Sequence, residues 1–267
     1  MPSLYAHNKF GKLVIPKLPE KIKKTIKKYP DSFRIGLQGP DFLFFHILNS
    51  NMTKLGISMH HNDTYAFIQH ACTVTKKYGI DSPQYSYILG FICHFTLDNA
   101  CHPYVNQFMK ETGCGHVEIE GDLEYLILKN DGYTPESYPI HKLVPNSKQT
   151  AVSMAPFFPQ LKVSDIYYSL CMMQHIKRFF VAPRTLKRTA ITLAMKSTFH
   201  YKRLKGHVIM PYPNEKCKTQ SKFLLSKLTN SVDEAVFLIT NFTNSTLNDT
   251  ILTGKFHKDF NGNYCIF

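Results

Sequence analysis

Between Ser82 and Gly113 the chain carries a helix signal that leaves few alternatives. Ser82-Pro83 has the form of an N-cap followed by a first helical residue, and the residues beyond it run through Met109 towards a stop near Gly113. Tyr87, Leu89, Phe91, Ile92 and Phe95 make this segment apolar nearly all round, so it belongs at the centre of a helical fold. Within it stand His94, Asp98 and His102, at i, i+4 and i+8. Each four-residue step turns about 40° past a full circle, which lines all three up on one stripe. A carboxylate flanked by Phe95, Thr96 and Leu97 is costly to bury without a cation, and its nearest same-face neighbours are histidines.

The next segment repeats the pattern. Gly115 caps a helix running to about Lys129, stopped by Asp131-Gly132, and it presents His116 and Glu120 at i and i+4. The short turn Thr112-Gly113-Cys114-Gly115 folds the two helices back on each other and brings five metal-competent groups together. An ion such as Zn²⁺ takes three or four N and O ligands, so five groups with a bridging aspartate point to more than one ion. Di-iron carboxylate bundles use mostly Glu with Glu-x-x-His pairs, which this pattern lacks.

Composition fits such a centre. The 267 residues are 43% hydrophobic, enough for a sizeable core and against disorder as the main state. The formal charge of +13 hides a contrast: residues 81–136 carry nine acids and two bases, whereas residues 142–227 carry sixteen bases against Asp165 and Glu215. The acidic middle suits a cation, and the basic flank suits an anionic partner. Helical periodicity recurs over Leu18–Lys28, Thr64–Tyr78, Val163–Phe180, Thr185–Lys202, Ser221–Leu228 and Ser231–Leu247, with 131–159 an irregular excursion. No alternation long enough for a sheet appears. The expected fold is all-α, one domain over residues 1–267, with the motifs in 5–120 and a helical C-terminal half over 140–267.

No stretch approaches a membrane span. Met1–Pro16 has no apolar core of signal-peptide length, and seven Cys without a Cys-x-x-Cys pair fit a reducing compartment, so a cytoplasmic location is expected. His46, His70, His141, His175, His200, His207 and His257 match no motif and are expected at the surface or in the core. Cys101 is expected to pack rather than ligate, and Glu118 and Asp122 to face away from Glu120.

Tyr5-Ala6-His7-x-x-Phe10-Gly11, Gly39-Pro40-Asp41, Met59-His60, Leu89 to His94-Phe95-x-x-Asp98-x-x-x-His102-Pro103 and His116-x-x-x-Glu120 together resemble the bacterial zinc-dependent phospholipase C family, in its compact clostridial-type branch. The resemblance implies an all-helical domain of the phospholipase C/single-strand nuclease type holding two or three Zn²⁺ ions. It assigns His102, His116 and Glu120 to one ion, and Asp41, His60, His94 and Asp98 to a second. Asp98 would bridge towards a third, which also takes His7. His61 is the alternative to His60, which Met59 favours.

Secreted members complete the third site with an N-terminal Trp. This chain has no Trp, so that site is weaker, filled by the Pro2 amine, or empty. The implied activity is hydrolysis of a phosphate ester, a phospholipid head group first, by metal-activated water, with Asp41 orienting or deprotonating that water or simply ligating. Partners then include an anionic membrane surface. Two alternatives stay open: a single-strand nuclease using the basic segment with Tyr167, Tyr168, Phe179, Phe180, Phe199 and Tyr201, and an inactive zinc-binding lipid-surface protein.

Overall fold

Residues 3–197 and 201–265, apart from the side chains of Lys202 and Arg203, are described by a computed structural model. The helices are α1 (Leu4–Val14), α2 (Glu20–Lys28), α3 (Pro30–Gly36), α4 (Ser50–His61), α5 (Tyr65–Tyr78), α6 (Pro83–Thr112) and α7 (His116–Asn130), then α8 (Lys148–Met154), α9 (Val163–Phe180), α10 (Thr185–Ser197), α11 (Tyr201–Leu204), α12 (Lys218–Asn230) and α13 (Val232–Asn248). Among the described residues, strand-type pairing is confined to one isolated bridge, Lys258 with Tyr264. The fold is all-α.

Helix α6 forms where its capping residues dictate. Ser82 is extended and its Oγ accepts the Tyr85 N–H at 3.1 Å, Pro83 occupies the first turn, and Gly113 at φ 68° closes the helix with its N–H on the Met109 carbonyl. Every residue from Gln84 to Asp98 is buried. Helix α3 crosses α6 backbone to backbone at Gly36 and Gly90. A Cβ on Gly36 would lie 2.1 Å from the Tyr87 carbonyl, and one on Gly90 would lie 2.2 Å from that of Phe33. That crossing carries the chain directly into Gly39-Pro40-Asp41 beside His94. Farther along α6, Pro103 leaves the Asn99 carbonyl without its helical donor, and the backbone of Gly262 packs there.

The apolar side chains form one contiguous core from Leu4 to Phe260, with a small satellite of Ala182, Ile191, Met195 and Val208 beneath α10. Several boundaries differ from the periodicity. Helix α2 starts at Glu20 because Pro19 is its N-cap, and Pro30 opens α3 rather than merely ending α2. The 131–159 excursion contains α8, capped by Ser147, whose Oγ accepts the Thr150 N–H at 3.0 Å. The 185–202 segment is helical to Ser197 and again from Tyr201; Phe199 and His200 lie outside the described residues, as does Pro2. Among the described residues, no helix is long and apolar enough to cross a membrane. All seven cysteines are free.

Candidate metal centre

Five segments converge on one buried point. Helix α1 brings His7, the turn after α3 brings Asp41, the last turn of α4 brings His60, α6 brings His94, Asp98 and His102, and α7 brings His116 and Glu120. These residues make three groups whose ligand atoms lie within 4.8 Å of one another: His7–His94–Asp98, Asp41–His60–His94 and His102–His116–Glu120. His94 belongs to two of them.

The distances show how the groups join. Asp98 Oδ1 is 3.2 Å from His7 Nε2 and 3.8 Å from His102 Nε2, while Oδ2 is 3.2 Å from His94 Nε2. Asp41 Oδ1 is 3.1 Å from His60 Nε2 and 4.0 Å from His94 Nε2. Glu120 Oε1 is 3.1 Å from His116 Nε2 and 3.5 Å from His102 Nε2. Asp98 therefore sits at the junction, one oxygen towards each of two groups. The resemblance groups Asp98 with Asp41, His60 and His94 and has it bridge towards the ion that takes His7; in the structure its shortest approaches are to His7 and His94.

Three histidines are aimed by backbone. His60 Nδ1 donates to the Gly56 carbonyl at 2.7 Å, His94 Nδ1 to that of Leu37 at 3.1 Å and His102 Nδ1 to that of Phe260 at 2.9 Å. In each, Nδ1 donates to backbone, so Nε2 is the nitrogen that faces the centre and the one that can offer a lone pair to a metal, His102 after giving up its second proton. Gly39 makes room for this. It adopts φ 51°, and a Cβ there would lie 2.1 Å from His94 Cδ2. His7 is held differently, its ring stacked on that of His94 at 4.3 Å.

Burial sets the electrostatics. Burial alone would raise the Asp98 carboxyl, but His94 and His102 beside it hold it well below the usual carboxylate range. Burial likewise raises Glu120, and His116 and His102 outweigh it to hold that carboxyl low. His102 is pushed up to about 9: burial lowers it, and Asp98 and Glu120 more than compensate. His7 is lowered by burial and by His94. His94 Nε2, Asp98 Oδ2 and Glu120 Oε2 are buried and make no hydrogen bond in suitable geometry. Orphaned lone pairs converging from nitrogen and oxygen donors are what a Zn²⁺ ion satisfies, so the residues present fit that group.

His61 turns away from the centre and lies on the exposed face beside Asn261. The remaining described histidines have other surroundings. His46 packs on Tyr168 near Asp165, His70 bonds the Pro156 carbonyl, His141 lies half-buried near Arg178 and Lys142, His175 bonds the Cys171 carbonyl, His207 stacks on Phe180, and His257 pairs with Asp63. Cys101 packs in the core, its thiol pushed up by burial. Glu118 bonds Lys205 and Asn214, and Asp122 bonds Ser221 and the Asn214 N–H, so both tether the 205–221 segment to α7. Of the aromatics in the nuclease alternative, Phe179 is exposed and Tyr167, Tyr168, Phe180 and Tyr201 are half-buried, Tyr168 packing on His46 and Phe180 on His207.

Two features escape the sequence pattern. The first is the C-terminal strap, in which the Phe260 carbonyl fixes His102, the Phe260 N–H bonds the His60 carbonyl and Asn99 bonds the Asp259 carbonyl. The second is Glu124, buried one turn beyond Glu120, whose Oε1 accepts the Tyr5 N–H in the first turn of α1. His116, Glu120 and Glu124 stand at i, i+4 and i+8, the same stripe spacing as on α6, which is the signal that marks Glu124. Its carboxyl is pushed up to about 7 by burial, opposed by the buried ammonium of Lys177.

A model of the zinc-dependent phospholipase C family matches residues 6–188, more than half of the chain. No curated protein and no solved structure matches. All eight converging residues fall inside the matched span, and the chain belongs to the zinc-dependent phospholipase C family.

Proposed function

We propose that the protein is a phosphoric ester hydrolase that acts on phospholipid head groups with two or three zinc ions. The observation that carries this reading is the junction at Asp98, where groups of buried histidines and carboxylates share ligands with orphaned lone pairs between them. His102, His116 and Glu120 would hold one ion, and Asp41, His60 and His94 a second. Asp98 would join these to His7. Zinc supplies Lewis acidity to a phosphoryl oxygen and brings the pKa of coordinated water to about 7.

The chain's own residues do the rest. Asp41 is 1% exposed and its Oδ1 faces His60 Nε2 at 3.1 Å; in this reading its carboxylate ligates the ion or orients an attacking water and accepts its proton. The carbonyls of Gly56, Leu37 and Phe260 keep the ligand rings in their working tautomer. His116, with 31% of its side chain exposed, marks the open edge through which an ester enters. No protein nucleophile is required for in-line attack.

Metal analysis of protein purified without chelator, followed by assay on phosphatidylcholine, tests the proposal. At least two equivalents of zinc, with turnover abolished by chelation and restored by zinc, are expected. No zinc, or zinc without phosphate-ester turnover, would remove it.

A further inference from the structure

From Ile166 to Asn214 the sequence holds nine Lys and Arg and no Asp or Glu. Helix α10 lies in the middle of this stretch, and its two faces do different things. Ile191 and Met195 point inward onto the satellite cluster with Ala182 and Val208. Leu186 and Leu193, which stand at i and i+7 with Ala190 between them, point outward, with relative exposures of 83% and 60%. Phe179, at the end of α9, adds a further apolar group at 56%. Arg178, Arg184 and Lys196 are exposed around them. Lys187 and Arg188 donate to the carbonyls of Val181, Ala182 and Pro183, which pins the turn between the helices while keeping their charge at the surface.

An outward stripe of aliphatic side chains ringed by cations, on a helix anchored by a small cluster of its own, matches an interfacial helix rather than a surface waiting for a protein core. Aliphatic Leu186 and Leu193 gain nothing from nucleic-acid bases, which stack on aromatic faces. The unit is also placed to matter. Lys205, just beyond α11, bonds Glu118 at 2.7 Å, two residues from His116 at the open edge of the metal centre. Gly206 seats this segment tightly on α7, since a Cβ there would lie 2.1 Å from the Val117 carbonyl.

We infer that the outer face of α10, with Phe179 and the surrounding Arg and Lys, docks the protein on an anionic lipid surface beside the open edge of the metal centre. The inference deepens the proposed phospholipid substrate and rests on it for its purpose, not for its test. Leu186 and Leu193 enter the acyl boundary, while the cations meet the lipid phosphates and carboxylates.

The test is co-sedimentation of the full chain with vesicles of phosphatidylglycerol and phosphatidylcholine, run alongside hydrolysis of a phosphatidylcholine short enough to stay monomeric in water. Binding should weaken on pure phosphatidylcholine vesicles and as salt rises. Leu186→Gln/Leu193→Gln should bind anionic vesicles about tenfold less or worse, with unchanged melting and unchanged turnover of the monomeric substrate. Arg184→Gln/Lys196→Gln should lose binding in low salt in the same direction. Wild-type protein that ignores anionic vesicles, a leucine double variant that binds as wild type does, or retention on single-stranded DNA in place of vesicles would each overturn the inference. Wild-type protein that binds vesicles but leaves the monomeric substrate intact would instead remove the hydrolase reading and leave the docking face standing.

Discussion

Asp98 and Gly39 carry the centre at the scale of single residues. Asp98 meets His7, His94 and His102 within 3.8 Å, so Asp98→Asn removes the shared charge of the junction. Zinc content should fall by at least one equivalent and turnover by about a thousandfold, as metal analysis and steady-state rates would report. Gly39→Ala adds a Cβ into the His94 ring and strains a φ of 51°. The expected cost is about 2 kcal/mol or more of unfolding free energy, read by denaturant titration, together with loss of zinc. His102, pushed up to about 9 without metal, holds a proton at neutral pH. Zinc binding at pH 7 must displace it, so calorimetry in buffers of different ionisation enthalpy should show proton release, and a buffer-independent heat would contradict the assignment. The same residues show what was readable. His94, Asp98, His102, His116 and Glu120 declare themselves by four-residue spacing, because a helix converts spacing into a shared face. The Phe260 carbonyl on His102 leaves no such trace, since a backbone acceptor has no residue type.

Elements were legible where caps and periodicity agreed. Helix α6 follows from Ser82, Pro83 and Gly113, and α7 from Gly115 and Asp131-Gly132; the structure adds the Glu118 carboxylate, which accepts the Gly115 N–H at 3.1 Å. Helices α1 and α4 were not legible. Each contains a glycine, Gly11 or Gly56, and mixes polar residues through its buried face, so tertiary packing rather than local propensity makes them helical. One pH dependence belongs to this scale. His207, in the turn that joins α11 to the following segment, is lowered to about 3 by burial and by Lys177. Its folded form resists protonation while the unfolded chain takes the proton near 6.5, so stability present above 6.5 is lost as pH falls towards 3. In melts across that range, His207→Leu should gain on wild type progressively as pH drops; a constant difference would contradict it. Glu124 acts at the same scale by receiving the first turn of α1. Glu124→Leu, which removes the acceptor for the Tyr5 N–H, should loosen α1 and lower zinc occupancy at His7 more than at His102–His116–Glu120, as anomalous scattering from crystals of the variant would resolve.

Over the whole molecule, a net charge of +13 surrounds a candidate metal centre whose own stretch of sequence is acidic. The centre gathers three carboxylates from separate segments, Asp41, Asp98 and Glu120, which repel one another unless cations stand between them. Chelation should therefore lower the melting temperature as well as abolish turnover, by an amount that grows with the free zinc concentration used for comparison. The most direct test is an anomalous difference map of crystals of the unchelated protein, collected across the zinc absorption edge. Peaks are expected between His102, His116 and Glu120 and between Asp41, His60 and His94, with Asp98 reaching between them. A map without zinc at those positions would contradict the assignment.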